Sequence, residues 1–102
     1  MEAGLFTGAL ALDVLLGDVR SLKQKRSVVR PILAELKGKH DVSAAEAGHL
    51  DLHRRALIGV AVVAVDAQHV QQVLDACERL VASRPEVEVL SAHRQLMKEE
   101  DQ

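Results

Sequence analysis

The order of apolar patterns along the chain constrains its fold more than any other feature. Apolar residues at helical spacing fill two segments, one beginning after Ser21 and one after Asp66. Segments with the alternating or continuous apolar character of strands lie before, between and after them. These strand-like segments are residues 5–16, 42–48, 54–65 and 87–95. The sequence therefore predicts the element order β-α-β-β-α-β.

This order is typical of the ferredoxin-like class of α+β sandwiches. We expect a four-stranded antiparallel sheet in the order 4-1-3-2, with both helices on one face. A length of 102 residues fits one domain, which we place at residues 1–97, with a frayed acidic tail at 98–102. Because 48% of the residues are apolar, the chain can bury a core without disulfides or metals.

Local signals define the two helices. Ser21 and Gln24 have the spacing of a capping box at the start of the first helix. Pro31 lies inside that helix and predicts a kink or an interruption there. Asp66 is the predicted N-cap of the second helix, and Pro85 follows its end.

The sequence favours a cytoplasmic protein. A single cysteine, Cys77, excludes an intrachain disulfide, which suits a reducing compartment, and its place on an apolar helical stripe indicates buried packing rather than catalysis. Glu2 and Asp13 argue against a signal peptide. The longest apolar run, residues 56–65, is too short to span a bilayer, so we expect no membrane partner.

Charge is concentrated in the first helical segment. Residues 20–39 carry a net charge of +6, so the rest of a chain whose total is −2 carries −8. At 100° per residue, four of these cations fall within about 60° of one another. This basic stripe consists of Lys23, Arg26, Arg30 and Lys37. It predicts either a surface for an anionic partner or a solvated helix face that Asp18, Asp51 or Glu46 neutralises.

Lys25 has a different place on the helix. Its angle lies among the apolar positions, near Ile32 and Leu36, so its ammonium must either snorkel to solvent or find a carboxylate. Glu46, on the inward face of the second strand, is the candidate partner.

The predicted hairpin at residues 49–53 carries polar groups that invite two interpretations. His49, Asp51 and His53 offer imidazole and carboxylate ligands of the kind that zinc or manganese binds. Their spacing belongs to no strong metal motif, so the alternative is a polar hairpin and no metal. The topology places this hairpin at the same end of the sheet as Arg20, Arg54, Arg55 and Arg84.

No catalytic motif is present. The chain lacks a nucleophile elbow, a phosphate-binding loop of Walker type, a dinucleotide fingerprint and a Cys-x-x-Cys pair. Acylphosphatases share this size and topology, but they use an asparagine, and this chain has none. Phe6 is the only residue among Phe, Tyr and Trp, so RNA binding here would depend on backbone charge rather than base stacking. We therefore predict no enzyme activity and no cofactor.

Four runs of sequence resemble a known family. They are Arg20-Ser-Leu-Lys-Gln-Lys-Arg-Ser-Val-Val-Arg, Val42-Ser-Ala-Ala-Glu-Ala-Gly-His-Leu-Asp-Leu-His, Gly59-Val-Ala-Val-Val and Arg84-Pro-Glu-Val-Glu-Val. Together they look like the YlxP-like family, a bacterial domain of unknown function with a ferredoxin-like fold. The residues that match its pattern are Ser21, Leu22, Lys23, Lys25, Arg26, Glu46 and Asp51. Where many members have tryptophan after the hairpin aspartate, this chain has His53.

The resemblance implies a role close to translation, because genes of this family often neighbour those of initiation and ribosome-maturation factors. Our first hypothesis is a non-catalytic protein that binds RNA or a ribosomal particle. The residues expected to contact phosphates are Arg20, Lys23, Lys25, Arg26, Arg30 and Lys37. The residues expected to support them are Glu46, His49, Asp51, His53 and Arg54. The alternative hypothesis is a structural or regulatory homodimer that binds a protein partner through an apolar sheet face. Its basis is that residues 54–65 are apolar at both odd and even positions, so both faces of this strand are expected to be apolar.

Overall fold

The computed structural model describes residues 4–100 and has the predicted element order. The elements are β1 (Gly4–Leu16), α1 (Leu22–Lys39), β2 (Ser43–Gly48), β3 (Arg55–Ala64), α2 (Ala67–Ala82) and β4 (Val87–Glu100). The four strands form one antiparallel sheet in the order β2-β3-β1-β4. This is the predicted order read from the other edge, so the ferredoxin-like α+β fold is confirmed.

The core lies between the sheet and the two helices. Alternate residues of β1, from Leu10 to Leu16, and of β3, from Ala56 to Val62, are buried against the apolar stripes of α1 and α2. Cys77 belongs to this core, and burial raises the pKa of its thiol. The core is therefore one continuous cluster, as a single domain of this size requires.

Helix α2 crosses the sheet where β1 has no side chain. A Cβ atom built on Gly8 would overlap with the side chain of Val70 and lie 2.9 Å from Leu74 Cδ1. Val70 and Leu74 are both fully buried. Gly8 thus allows the close approach of α2 to the centre of the sheet.

Both predicted helix caps are present. The Ser21 hydroxyl accepts a hydrogen bond from the Gln24 N–H at 3.1 Å, and the Gln24 side chain accepts from the Arg20 N–H at 2.6 Å. Asp66 accepts from the His69 N–H at 3.0 Å. The bonds that Gln24 makes with Ser21 and Arg20 fix the start of α1, which carries the basic stripe.

Of the two outcomes predicted at Pro31, a kink or an interruption, the interruption is wrong. The helix runs from Leu22 to Lys39 with Pro31 inside it. Pro31 removes the N–H that would bond to the carbonyl of Ser27, but both residues are exposed, so water can satisfy that carbonyl. The basic stripe therefore lies on one unbroken helix.

Strand β4 is longer than the sequence predicted. It continues past Gln95 to Glu100, pairing antiparallel with β1 as far as Gly4. Lys98, Glu99 and Glu100 thus belong to the sheet and not to a frayed tail, and residues 101–102 of the predicted tail lie outside the described residues. The reason is that β1 offers its whole length as a partner, and Arg94 of β4 also binds α2 through Gln71, Asp75 and Glu78.

Candidate functional site

The basic stripe is exposed and lacks ionic partners. Lys23, Arg26, Arg30 and Lys37 are all exposed on α1, and within residues 4–100 none of them forms an ion pair. Lys23, Arg26 and Arg30 line a shallow depression of about 570 Å³, which Ser27 and Pro31 complete. The first turn of α1 contains no acidic residue. The start of the helix therefore adds its own positive potential to these cations.

Most other cations of the described chain are already paired. Arg55 binds Asp13, Arg84 binds Glu35 and Glu86, and Arg94 binds acids of α2. Lys39, close to the stripe, binds Glu35 at 2.8 Å, and this bond, with help from Arg84, lowers the pKa of that carboxyl. The basic stripe thus differs from the rest of the described surface in two ways: its cations lie closer together, and they are not paired with acids.

The acids that were expected to neutralise the stripe do not reach it. Asp18 is 3.3 Å from the Arg20 guanidinium, and both side chains are about four-fifths exposed. Glu46 is committed to Lys25, and the exposed Asp51 has no ion pair among the described residues. Arg20, which was predicted to contact phosphate, therefore forms an exposed ion pair with Asp18. Such a solvated pair is weak, so Asp18 neutralises the charge of Arg20 only in part.

Lys25 forms the predicted pair with Glu46. Its Nζ lies 2.6 Å from Glu46 Oε2 and donates to the carbonyl oxygens of His49 at 2.7 Å and Leu52 at 2.8 Å. The side chain is only 2% exposed. The ammonium therefore has two carbonyl acceptors and a carboxylate that balances its charge. Lys25 therefore does not snorkel to solvent. Its place among the predicted phosphate contacts is wrong, because its side chain is buried. It joins α1 to the β2–β3 hairpin instead.

The hairpin residues are not gathered into a metal centre. His49 lies with its Nε2 3.3 Å from Asp13 Oδ2, whereas Asp51 and His53 are exposed. Among the described residues no three His, Cys, Asp or Glu side chains stand close enough together to hold an ion. His49 has a positive φ of 58°, which histidine tolerates in turns, and its carbonyl is fixed by Lys25.

The three loops that were predicted to share one end of the sheet do meet there. Arg54 Nε donates to the Gly17 carbonyl at 2.8 Å, and the Gly17 N–H donates to Glu86. Four cations at this end are engaged by acids or by backbone carbonyls, namely Arg20, Arg54, Arg55 and Arg84, whereas Lys23 of the stripe is free among the described residues. Arg54 therefore supports the loop before α1 and, like Lys25, fixes the position of the helix.

One polar cluster was not predicted from the sequence. Arg55 donates to both oxygens of Asp13, at 3.1 and 2.6 Å, and His49 contacts the same carboxyl. The hydrogen bond from Arg55 lowers the pKa of Asp13. This cluster lies on the sheet face away from the helices. Its one signal in the sequence was a carboxylate at an outward position of an otherwise apolar strand.

The fold and the site together define a class: a small ferredoxin-like α+β domain whose first helix carries free cations and whose hairpin is fixed by a buried lysine. Within residues 4–100, no helix is long and apolar enough to cross a membrane.

Comparison with known proteins gives the family. Residues 7–94 match the model of the family described as "Protein of unknown function (DUF503)". The chain is also 31% identical over 81 residues to the uncharacterized protein YlxP of Bacillus subtilis (strain 168), a match that covers 79% of this chain and 88% of that protein. The chain therefore belongs to the DUF503 family, and the predicted YlxP-like resemblance is confirmed.

Proposed function

We propose that this protein is a non-catalytic binding protein that contacts RNA phosphates, on the ribosome or a ribosomal precursor, through the basic stripe. The observation that carries the proposal is the contrast in pairing: the four cations of the stripe are free among the described residues, whereas Lys39, two residues beyond Lys37, is paired. Exposed, unpaired cations on a helix are the usual means of binding a phosphate backbone. The ribosome would place this function in the cytoplasm, in keeping with the reduced Cys77.

The chemistry of the stripe favours a polyanion over a single small anion. Lys23 and Arg30 are seven residues apart, which is about 10 Å along a helix, and Lys37 lies a further 10 Å or so along it. One small phosphate cannot bridge these distances, but a row of phosphates can. Arginine adds donors that bind phosphate oxygens in pairs.

Salt dependence of RNA binding tests this function. Phosphate contacts by Lys23, Arg26 and Arg30 release condensed counterions, so three contacts predict a log–log slope of affinity against salt between about −2 and −3. Fluorescence anisotropy with labelled RNA and co-sedimentation with ribosomal subunits, both across a salt series, measure this. Salt-independent binding, or no binding at low salt, would contradict the proposal.

A second candidate function is homodimerisation through the open face of the sheet, which would serve a protein partner. Outward residues of β3 are Leu57, Gly59, Ala61 and Val63, and Ala9 and Ala11 lie beside them on β1. The charges of Asp13 and Arg55 on this face neutralise each other. Small apolar side chains let two sheets pack closely, and a second copy has a matching face.

Sedimentation equilibrium at micromolar concentration tests the dimer. We expect a mass above that of the monomer, and Ala61→Glu should return the protein to a monomer, because it places an unpaired charge in the interface. A wild-type monomer at that concentration would remove this candidate.

A further inference from the structure

We infer that the RNA ligand of the basic stripe is double-helical, so that the protein reads the backbone of a paired RNA element rather than an unpaired strand. This inference rests on the proposed function and names its substrate class. It comes from three observations: the absence of aromatic side chains from the stripe, the fixed position of the stripe and the shape of the site.

The stripe has no aromatic side chain on which unpaired bases could stack. Proteins that bind single strands stack successive bases on aromatic side chains, which contribute about 1–3 kcal/mol per base. Phe6 is the one Phe, Tyr or Trp of the chain, and it lies on β1, half-buried, with the Lys98 ammonium 5.7 Å from the centre of its ring. Residues 23–37 contain no aromatic side chain and no histidine.

The sheet does not supply a stacking surface either. Ferredoxin-like RNA-recognition domains stack bases on the open sheet face through aromatics of the central strands. The central outward positions here are Ala9 and Ala11 on β1 and Gly59 and Ala61 on β3. These four positions offer no ring to a base, and the exposed His93 beside Ala11 lies on the sheet face opposite the stripe. A single strand held by the stripe would therefore gain little beyond its phosphate contacts.

The stripe is a continuous row of charges held in a fixed position. Lys23, Arg30 and Lys37 recur every seven residues on an uninterrupted helix that spans about 20 Å between the first and the last. The capping box at Ser21 and the buried Lys25 fix the position of the helix on the domain. A row of cations in a fixed position best matches phosphates that are themselves held in place, as in a duplex, because neither partner then loses conformational freedom on binding.

The site is open and shallow. One side of α1 forms the depression at Lys23, Arg26 and Arg30, and every residue that lines it belongs to that helix. Single-strand binders instead enclose the backbone in a charged groove. A duplex presents two phosphate backbones and a higher charge density to an open surface, so its electrostatic attraction to the stripe is stronger.

The experiment compares a blunt RNA duplex with oligouridine of equal phosphate number, which does not pair with itself, by fluorescence anisotropy at low salt. We expect the duplex to bind the wild-type protein at least about tenfold more tightly, as its higher charge density predicts. Equal or tighter binding of oligouridine overturns the duplex inference and leaves the proposed function intact. If neither RNA binds, the proposed function fails as well.

A pair of lysine variants tests whether the whole stripe takes part. Lys37→Ala should weaken duplex binding about threefold or more, whereas Lys39→Ala, which removes the same charge from a lysine already paired with Glu35, should have a smaller effect. Melting curves of both variants confirm that they fold. Equal effects of the two substitutions would show that total charge and not the stripe determines binding, and would overturn the inference.

Discussion

At the scale of single residues, the two lysines of the first helix turns have opposite roles. Lys23 is exposed and free, whereas Lys25 is buried and holds Glu46 and two hairpin carbonyls. A buried ammonium is tolerated only when its charge and its donors are all satisfied. The same positive charge is therefore open to a ligand at one position and structural at the other.

Removing Lys25 should cost stability. Lys25→Met keeps the aliphatic length but leaves Glu46 and two carbonyls without their donor, so we expect a loss of about 3 kcal/mol in the free energy of unfolding. Lys23→Ala, two residues away on the exposed side, is the control and should change it by less than about 0.5 kcal/mol. Urea unfolding of both variants measures this. Equal stabilities would mean that the buried pair contributes nothing.

The ion pair of Asp13 with Arg55 should make stability depend on pH. The hydrogen bond from Arg55 lowers the pKa of Asp13 in the folded state. The pair therefore adds stability above the carboxyl's unfolded pKa, and this stability is lost as pH falls through the lower, folded pKa. Asp13→Asn should be less stable than wild type at neutral pH, and the difference should shrink in acid.

Thermal melts of wild type and Asp13→Asn across an acid-to-neutral pH series test this expectation. Asp51→Asn makes the same chemical change at an exposed residue without an ion pair among the described residues, and should follow the wild type. A constant difference between Asp13→Asn and wild type down to strong acid would contradict the account.

At the scale of elements, the sequence predicted what depends on local pattern and missed what depends on register. The alternation of β1 and the caps at Ser21 and Asp66 are local, and they gave the correct order of elements. The pairing of Asp13 with Arg55 depends on the alignment of β1 with β3, which no local pattern specifies. Whether the cations of the basic stripe are paired likewise could not be predicted from local pattern, because it depends on where the fold places the nearby acids.

The length of β4 shows the same limit. Its last residues mix apolar and charged side chains, which alone predict a frayed end. They are strand because the start of β1, about 95 residues away in sequence, pairs with them from Gly4 to Thr7. Long-range pairing of this kind outweighs the weak local preference of Lys98 and Glu99.

Two glycine substitutions test the packing of the helices. Gly8→Ala should destabilise the fold by about 1–3 kcal/mol, because its methyl group would overlap with Val70 and Leu74 of α2. Gly38 is an exposed residue of α1, and no atom lies within 4 Å of a Cβ built on it. Gly38→Ala should therefore stabilise the fold by about 0.5–1 kcal/mol, because alanine has the higher helix propensity. Denaturant melts compare them. A neutral Gly8→Ala would mean that α2 packs more loosely than described.

At the scale of the whole molecule, the fold separates two surfaces. The helix layer presents the basic stripe, and the opposite sheet face presents small apolar residues around a neutralised ion pair. Because the surfaces lie on different layers, RNA binding and self-association are compatible in one protein. A dimer formed through the sheets would expose two basic stripes on its outer sides.

The central claim, that the free cations of the stripe bind RNA, is tested most directly by a matched pair of arginine variants. Arg26 and Arg79 are both exposed and both lack an ion pair among the described residues, but Arg79 lies on α2, outside the stripe. Each substitution by alanine removes one positive charge. The measurement is the RNA affinity of wild type, Arg26→Ala and Arg79→Ala across a salt series. The account predicts that Arg26→Ala weakens binding at low salt and makes the log–log slope shallower by about 0.7–0.9, while Arg79→Ala leaves both unchanged. Equal losses in both variants, or no loss in either, would contradict it.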